Sequence, residues 1–446
     1  MDLATGPASG SAPKILQIAA AAIGNALEWY DFFVFGFLTV VISRLFFPAD
    51  SRYASLLLTT GTFGIGFLMR PLGGILLGIY ADRKGRKAGL QLILGLMTAA
   101  IAMIAFAPTY AAIGVAAPLI IVLARLLQGF ATGGEWGSAA AFLVESAPAH
   151  WRGLYGSWMV AGAGLALLTG ALMSSLVTLS LAPDAFDRWG WRFPFLFGLV
   201  IGPVGLYIRR RLGETEAFLE ARAVAKEKDG LGRTVAIHLK PIVVGIGLFS
   251  GQAISLYVIL LYMPTFATTQ LHLPLSEAFT AQSIGLVCFT LLIPLFGALS
   301  DRIGRKPIFI GSLVLYLSVA YPLFFWVHAS PSFGNLLIMQ IVLGSLLGAF
   351  SGPFATALAQ QFPTRMRASG LGIVANVTTM VFAGFAPFYV TWLIEATGSP
   401  IAPVFYVMFG AAISLVSTFF LVDHAHEARF PILEAITGQI KAARNH

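Results

Sequence analysis

Five ionisable side chains stand inside long apolar stretches of the first half of this chain: Glu28, Asp31, Arg70, Arg125 and Glu135. Glu28 and Asp31 are three residues apart, which sets both on one face of a helix. A carboxylate held between apolar walls and a movable cation can take a proton in one arrangement and release it in another. Arg70 and Arg125 can offer charge-assisted, bidentate hydrogen bonds to the carboxylates of a bound anion. The chemistry indicated is ion coupling with anion binding. The competing reading is that the same five residues form only a buried structural network. No nucleotide-binding loop, zinc-ligand spacing or nucleophile triad rises above chance, so no enzyme, cofactor or metal is expected.

The elements that must position these charges follow from composition. The chain has 446 residues, 57% hydrophobic and 11% charged, with a mean hydropathy of +0.83. Soluble domains carry roughly twice that charged fraction. The expected fold class is all-α integral membrane. Taking roughly 20 apolar residues per span, twelve candidates lie near 16–43, 54–80, 88–107, 112–145, 153–180, 191–209, 240–268, 277–299, 306–327, 334–360, 369–395 and 400–422. Charges inside a bilayer are costly and mark function by default. Arg70 precedes Asp82 by twelve residues, about 18 Å of helix, which sets it near mid-membrane.

The net charge of +8 is explained by topology, not by nucleic acid. With both termini inside, Lys14, Arg83, Lys84, Arg86, Lys87, Arg152, Arg302, Arg305, Lys306, Arg365 and Arg367 fall on the cytoplasmic side, as the positive-inside rule requires. Only Arg44, Arg52, Arg188 and Arg192 fall outside. The expected domains are a tail at 1–14, a six-helix bundle at 15–210, a cytoplasmic linker at 211–238, a second bundle at 239–423 and a tail at 424–446. Residues 1–14 lack the basic start of a secretory signal, so the first span is expected to be retained. The one cysteine, Cys288, excludes an intrachain disulfide.

The two bundles are pseudo-symmetric. Residues 78–87, GIYADRKGRK, return as GALSDRIGRK at 297–306, an offset of 219. RLLQGFATG at 125–133 answers to QIVLGSLLG at 340–348, and Pro148 and Arg152 answer to Pro363 and Arg367, at an offset of 215. Arg125 thereby matches Gln340, Glu135 matches Phe350, and Glu145 matches Gln360. The halves share a scaffold and differ in charge. Transporters built from repeats place the substrate between them.

The two D-R-x-G-R-K turns and RLLQG resemble the signatures of the major facilitator superfamily. GNALEWYDFFVFGF at 24–37, GFLMRPLGG at 66–74, RLLQGFATGGEWGSAAAFLVESAP at 125–148 and WGWRFPF at 189–195 resemble its metabolite:proton symporter family. That resemblance implies inward, proton-driven transport of citrate, tricarballylate, dicarboxylates such as 2-oxoglutarate, shikimate, or proline and betaine. The wording of FLMRPLGG and DFFVFGF is most similar to the citrate and tricarballylate members. The osmosensing betaine members carry a long C-terminal coiled coil, and this tail shows no heptads.

The expected mechanism is alternating access in the cell membrane (the inner membrane of a bacterium), by a monomer carrying a small organic anion with protons; sodium stays open as the coupling ion. Citrate is the leading substrate, and a non-transporting sensor is the rival from another class. Glu28, Asp31 and Glu135 are the proton-coupling candidates. Arg70 and Arg125 are the anionic anchors, with Asn25, Gln128, Gln252, Tyr257, Tyr262, Gln340 and Asn376 as neutral contacts. Both arginines facing the cavity would suit a multiply charged substrate; one held in a fixed ion pair would suit a smaller charge. Asp82, Arg83, Gly85, Arg86, Asp301, Arg302, Gly304 and Arg305 are read as a cytoplasmic gate, whose arginines anchor to headgroups or to Glu145. Gly85 and Gly304 permit the tight turns. Gly129, Gly133, Gly134 and Gly137 are read as helix-packing positions, and Trp29, Tyr30, Phe32 and Phe33 as packing or cavity wall.

Overall fold

A computed structural model describes residues 26, 29–84, 86–133, 135–200 and 238–423. The proposed linker up to residue 237 and both tails therefore lie outside the described residues, as do Asn25, Glu28, Gly85 and Gly134.

The described chain runs through helices in the order the hydropathy predicts. In the first half these are α1 (Trp29–Phe37 and Thr39–Phe46), α2 (Arg52–Leu68 and Arg70–Lys84), α3 (Arg86–Ala105), α4 (Ala116–Ala131 and Glu135–Glu145), α5 (Arg152–Ser180) and α6 (192–200). In the second half they are α7 (Leu239–Gln270), α8 (Leu275–Ile303), α9 (Arg305–Ala329), α10 (Phe333–Ala359), α11 (Arg367–Thr397) and α12 (Pro403–Phe420). Among the described residues, eight helices are long and apolar enough to cross a membrane alone. Leu315, Phe325, Phe405, Phe409 and Phe419 on α9 and α12 are more than half exposed. A surface this apolar needs lipid rather than water, and the chain is a multi-pass integral membrane protein.

Several spans depart from a simple rod. The two pieces of α1 meet at 69°. Thr39 Oγ1 donates to the Gly36 carbonyl at 2.7 Å, a back-bond that bends helices. α4, expected as one span, breaks at Thr132 and Gly133. α7 and α11 each contain a π turn, at Val258–Tyr262 and Thr379–Ala383.

The repeat persists down to backbone contacts. α2 packs on α4, and α8 packs on α10. A Cβ on Gly129 would overlap the Gly66 carbonyl oxygen, while one on Gly344 would lie 3.0 Å from the Gly285 oxygen. Likewise Gly133 abuts the Arg70 carbonyl, and Gly348 abuts that of Phe289. Pro148 and Pro363 each precede a short 3-10 turn, after which α5 and α11 begin at Arg152 and Arg367. Small residues let these backbones touch, and dispersion between them holds the bundles together.

The ends of the helices that carry Asp82 and Asp301 are called the turn end. There the short segment after α12 folds back: Asp423 accepts the backbone N–H groups of Arg305 and Lys306 at 3.0 and 3.2 Å. Its carboxylate satisfies two orphan donors in the first turn of α9.

Candidate functional site

Between the halves lies a small, partly open cavity of about 50 Å³. Its first-half wall is Trp29, Phe33, Arg70, Trp136, Val160 and Ala163; its second-half wall is Phe249, Gln252, Ala253, Leu256, Tyr257, Phe354, Ala375, Asn376 and Thr379. α1, α2, α4 and α5 thus face α7, α10 and α11.

Arg70 is 4% exposed and lies over the Trp29 ring, 4.6 Å from its centroid. It donates Nη2 to the Thr132 carbonyl in the break of α4 at 3.3 Å. The break matters because it presents a carbonyl that an intact helix would have kept for itself. Gln252, Tyr257 and Asn376 line the cavity, and Asn376 Nδ2 reaches across the halves to the Gly133 carbonyl at 3.2 Å.

Arg125 is placed differently from the sequence expectation. It is 0% exposed and is not among the cavity-lining residues. Its guanidinium is stacked among Phe32, Phe35 and Phe63 at 4.5–4.8 Å. Nη1 donates to Gln128 Oε1 at 2.7 Å and Nη2 to the Phe63 carbonyl at 3.2 Å. Gln128, expected as a substrate contact, serves Arg125 instead. Asp31 is 3% exposed and lies within electrostatic reach of Arg125. One of its oxygens is without a hydrogen-bond partner. A Cβ on Gly198 of α6 would collide with that oxygen. Asp31 and Arg125 therefore belong to a buried layer behind the cavity wall. The Glu135 side chain lies outside the described residues.

Two further candidates are away from the cavity. Tyr262 shares a hydrogen bond with Thr391 at 2.9 Å, between α7 and α11. Gln340 donates to Gln282 at 2.9 Å, between α10 and α8. Each is spent on helix packing. Sequence reading missed Trp136 and Thr379. Trp136 comes just after the α4 break, so regular helical spacing did not place it, whereas Thr379 follows Asn376 by three residues on the same helical face and was overlooked.

At the turn end the halves are tied, though not as expected. Asp301 accepts the backbone N–H groups of Gly153 and Leu154 at 2.7 and 3.0 Å. This puts a carboxylate on the positive end of the α5 dipole. Glu145 pairs with Arg367 at 2.7 Å, not with a turn arginine. Arg83 and Arg302 are exposed. Arg305 is buried within its own half, against Gln360 and Asp423. Gly304, at φ +91°, makes the turn between α8 and α9. The side chains of Asp82 and Arg86 lie outside the described residues. At the opposite end Gln270 donates to Tyr53 at 3.3 Å, and Ser175 and Thr280 sit 3.4 Å apart. The halves meet on both sides of the cavity.

A duplicated helical membrane fold with a cavity shared between its halves is the architecture of a membrane transporter. Residues 17–235 match the family model "Sugar (and other) transporter", and residues 253–444 match "Major Facilitator Superfamily". The chain belongs to the major facilitator superfamily. It is similar to the citrate-proton symporter of Salmonella typhi, 36% identical over 92% of this chain and 95% of that one. It is also similar to a glycine betaine/proline/ectoine/pipecolic acid transporter of Dickeya dadantii, 34% identical over 92% and 83%. Among solved structures it shares the fold of a D-xylose-proton symporter, with a TM-score of 0.71 at 19% identity over 92% of this chain and 97% of that one.

Proposed function

We propose that this protein imports a small carboxylate-bearing metabolite together with protons, by rocking its two halves about the central cavity. The observation that carries the reading is Arg70: a buried guanidinium on the wall of a cavity to which both halves contribute. An arginine there supplies a charge-assisted anchor for a carboxylate. Asp31, buried behind the wall and within reach of Arg125, is the coupling acid. Its protonation state changes how tightly Arg125 is held, so it can bias the rocking equilibrium. The end carrying the two D-R-x-G-R-K turns faces the cytoplasm in this reading, by the excess of Lys and Arg there.

The name of the Salmonella typhi relative favours citrate. The cavity favours a substrate with fewer negative charges, because only one arginine is among its described lining residues. Purified protein in liposomes, given an inward proton gradient, tests the reading. Labelled carboxylates (citrate, 2-oxoglutarate, shikimate, proline) should include at least one that accumulates above its outside concentration and collapses with a protonophore. Binding without gradient-driven accumulation of any of them would return the protein to the sensor class.

A further inference from the structure

The acid behind the cavity wall is covered by α6. Asp31 Oδ1, the oxygen without a hydrogen-bond partner, lies against the backbone of Gly198, where a Cβ would overlap it. Tyr30, next to the acid, holds α6 in that place. Its hydroxyl donates to the Pro194 carbonyl at 2.9 Å, and its ring meets that of Phe197 edge-on, with centroids 5.7 Å apart. Pro194 and Gly198 are four residues apart and share a face of α6. Residues 193–200 read FPFLFGLV, so no side chain on that stretch can donate a hydrogen bond.

The matching seam of the second half, α7 on α12, is built the opposite way. There α12 carries the buried Ser414. Its hydroxyl is shared between the Gly247 and Leu248 carbonyls at 2.9 and 2.8 Å, and it accepts the Gly251 N–H at 2.9 Å. The scaffold thus accommodates a hydroxyl on the last helix of a half, and α6 brings a glycine against the acid instead.

A buried carboxylate oxygen with no donor depends on a nearby cation for its charge. Among the described residues, Arg125 is the cation within electrostatic reach of Asp31, so the charge on Asp31 follows where Arg125 stands. A donor on α6 would hold the ionised form wherever Arg125 stood. Proton binding would then no longer report the arrangement of the helices.

Resting on the reading of Asp31 as the coupling acid, we infer that Gly198 is a positioning residue for proton coupling: α6 sets bare backbone against one oxygen of Asp31, so that Arg125 alone compensates its charge.

Gly198→Ser and Gly198→Ala add the same Cβ, and only serine adds a donor. Infrared difference spectra of the protein in a lipid film, taken between acid and alkaline pH, read the carboxyl directly and need no substrate. The C=O band of protonated Asp31, identified by its loss in Asp31→Asn, should stand at the high frequency of a carboxyl that accepts no hydrogen bond. It should move to lower frequency in Gly198→Ser and not in Gly198→Ala. Unfolding midpoints give a second measure of the contact: Gly198→Ala should lower the midpoint of the wild type and not that of Asp31→Ala, where the carboxylate is gone. In liposomes the probes are labelled citrate, 2-oxoglutarate, shikimate and proline. Gradient-driven accumulation should fall about tenfold in Gly198→Ser, the weight of one added hydrogen bond to a charged group. Exchange of labelled for unlabelled substrate should stay near wild type, whereas a folding defect would depress both.

An unmoved band in Gly198→Ser would overturn the inference. So would an equal cost of Gly198→Ala in the two backgrounds, or full accumulation by Gly198→Ser. The reading of Asp31 survives all three as long as Asp31→Asn fails to accumulate. Wild-type accumulation by Asp31→Asn would remove that reading and the inference with it. Accumulation of none of the four probes by the wild type would overturn the symport reading, while the band and the midpoints still decide whether Gly198 positions Asp31.

Discussion

The carboxylate of Asp301, at the end of α8, accepts the backbone N–H of Gly153, at the start of α5, at 2.7 Å. It accepts Leu154 N–H as well, so one side chain joins the two halves through the first turn of a helix. A carboxylate at a helix N-terminus contributes about 1–2 kcal/mol when partly buried. Asp301→Asn should therefore shift the balance between closed and open turn ends by about fivefold to thirtyfold. Cysteine accessibility at turn-end positions, in a background where Cys288 is replaced, reads that shift. Unchanged accessibility with lost substrate affinity would show that Asp301 serves binding rather than the latch.

Arg70 and Arg125 should separate in mutagenesis. Arg70→Lys removes the planar fork at the cavity wall and is expected to raise KM about tenfold, with thermal stability close to wild type. Arg125→Gln removes the guanidinium that donates to Gln128 and to the Phe63 carbonyl, leaving both acceptors buried. Leaving buried polar groups unpaired costs about 1–3 kcal/mol, visible as a lower unfolding temperature of the detergent-purified protein. If Arg125→Gln is as stable as wild type but fails only in KM, Arg125 touches substrate after all.

Asp31→Asn keeps the shape and removes the titrating group. It should abolish accumulation against a gradient while leaving exchange of labelled for unlabelled substrate across liposomes. Wild-type pH dependence of uptake in this variant would remove Asp31 as the coupling acid.

Gly129 and Gly344 stand at matching points of the repeat with different clearances. An alanine Cβ at Gly129 overlaps the Gly66 carbonyl, whereas at Gly344 the facing oxygen is 3.0 Å away. Gly129→Ala should cost at least about 1–3 kcal/mol through overpacking, and Gly344→Ala less than half of that. Yield and thermal midpoint of the two variants measure the difference, and equal values would mean that α2 and α4 separate freely.

The fold was legible because membrane spans announce themselves by length and apolarity, and because the repeat recurs wherever backbones touch. Gly66 and Gly285, or Pro148 and Pro363, keep their types since only small or rigid residues fit there. The site was legible in part. Helical spacing says which residues share a face, but not what that face meets. Arg125 looked equivalent to Arg70 as a membrane arginine, yet its face meets Phe32, Phe35 and Phe63 rather than open space. Gln340 and Tyr262 looked like available polar groups and are spent on Gln282 and Thr391. Trp136 reaches the cavity after a helix break, which turns the next stretch out of the regular 3.6-residue register, whereas Thr379 shares the helical face of Asn376 three residues earlier and was legible.

The fold-back after α12 has a practical consequence. Asp423 accepts the first N–H groups of α9, supplied from 118 residues away by a segment that would pass for a loose tail. Shortening the chain to the last residue of α12, or fusing a reporter directly to it, would leave the first turn of α9 uncapped and Arg305 without its acid. Residues 421–423 should accordingly be kept with the helical body, and a purification handle placed beyond them.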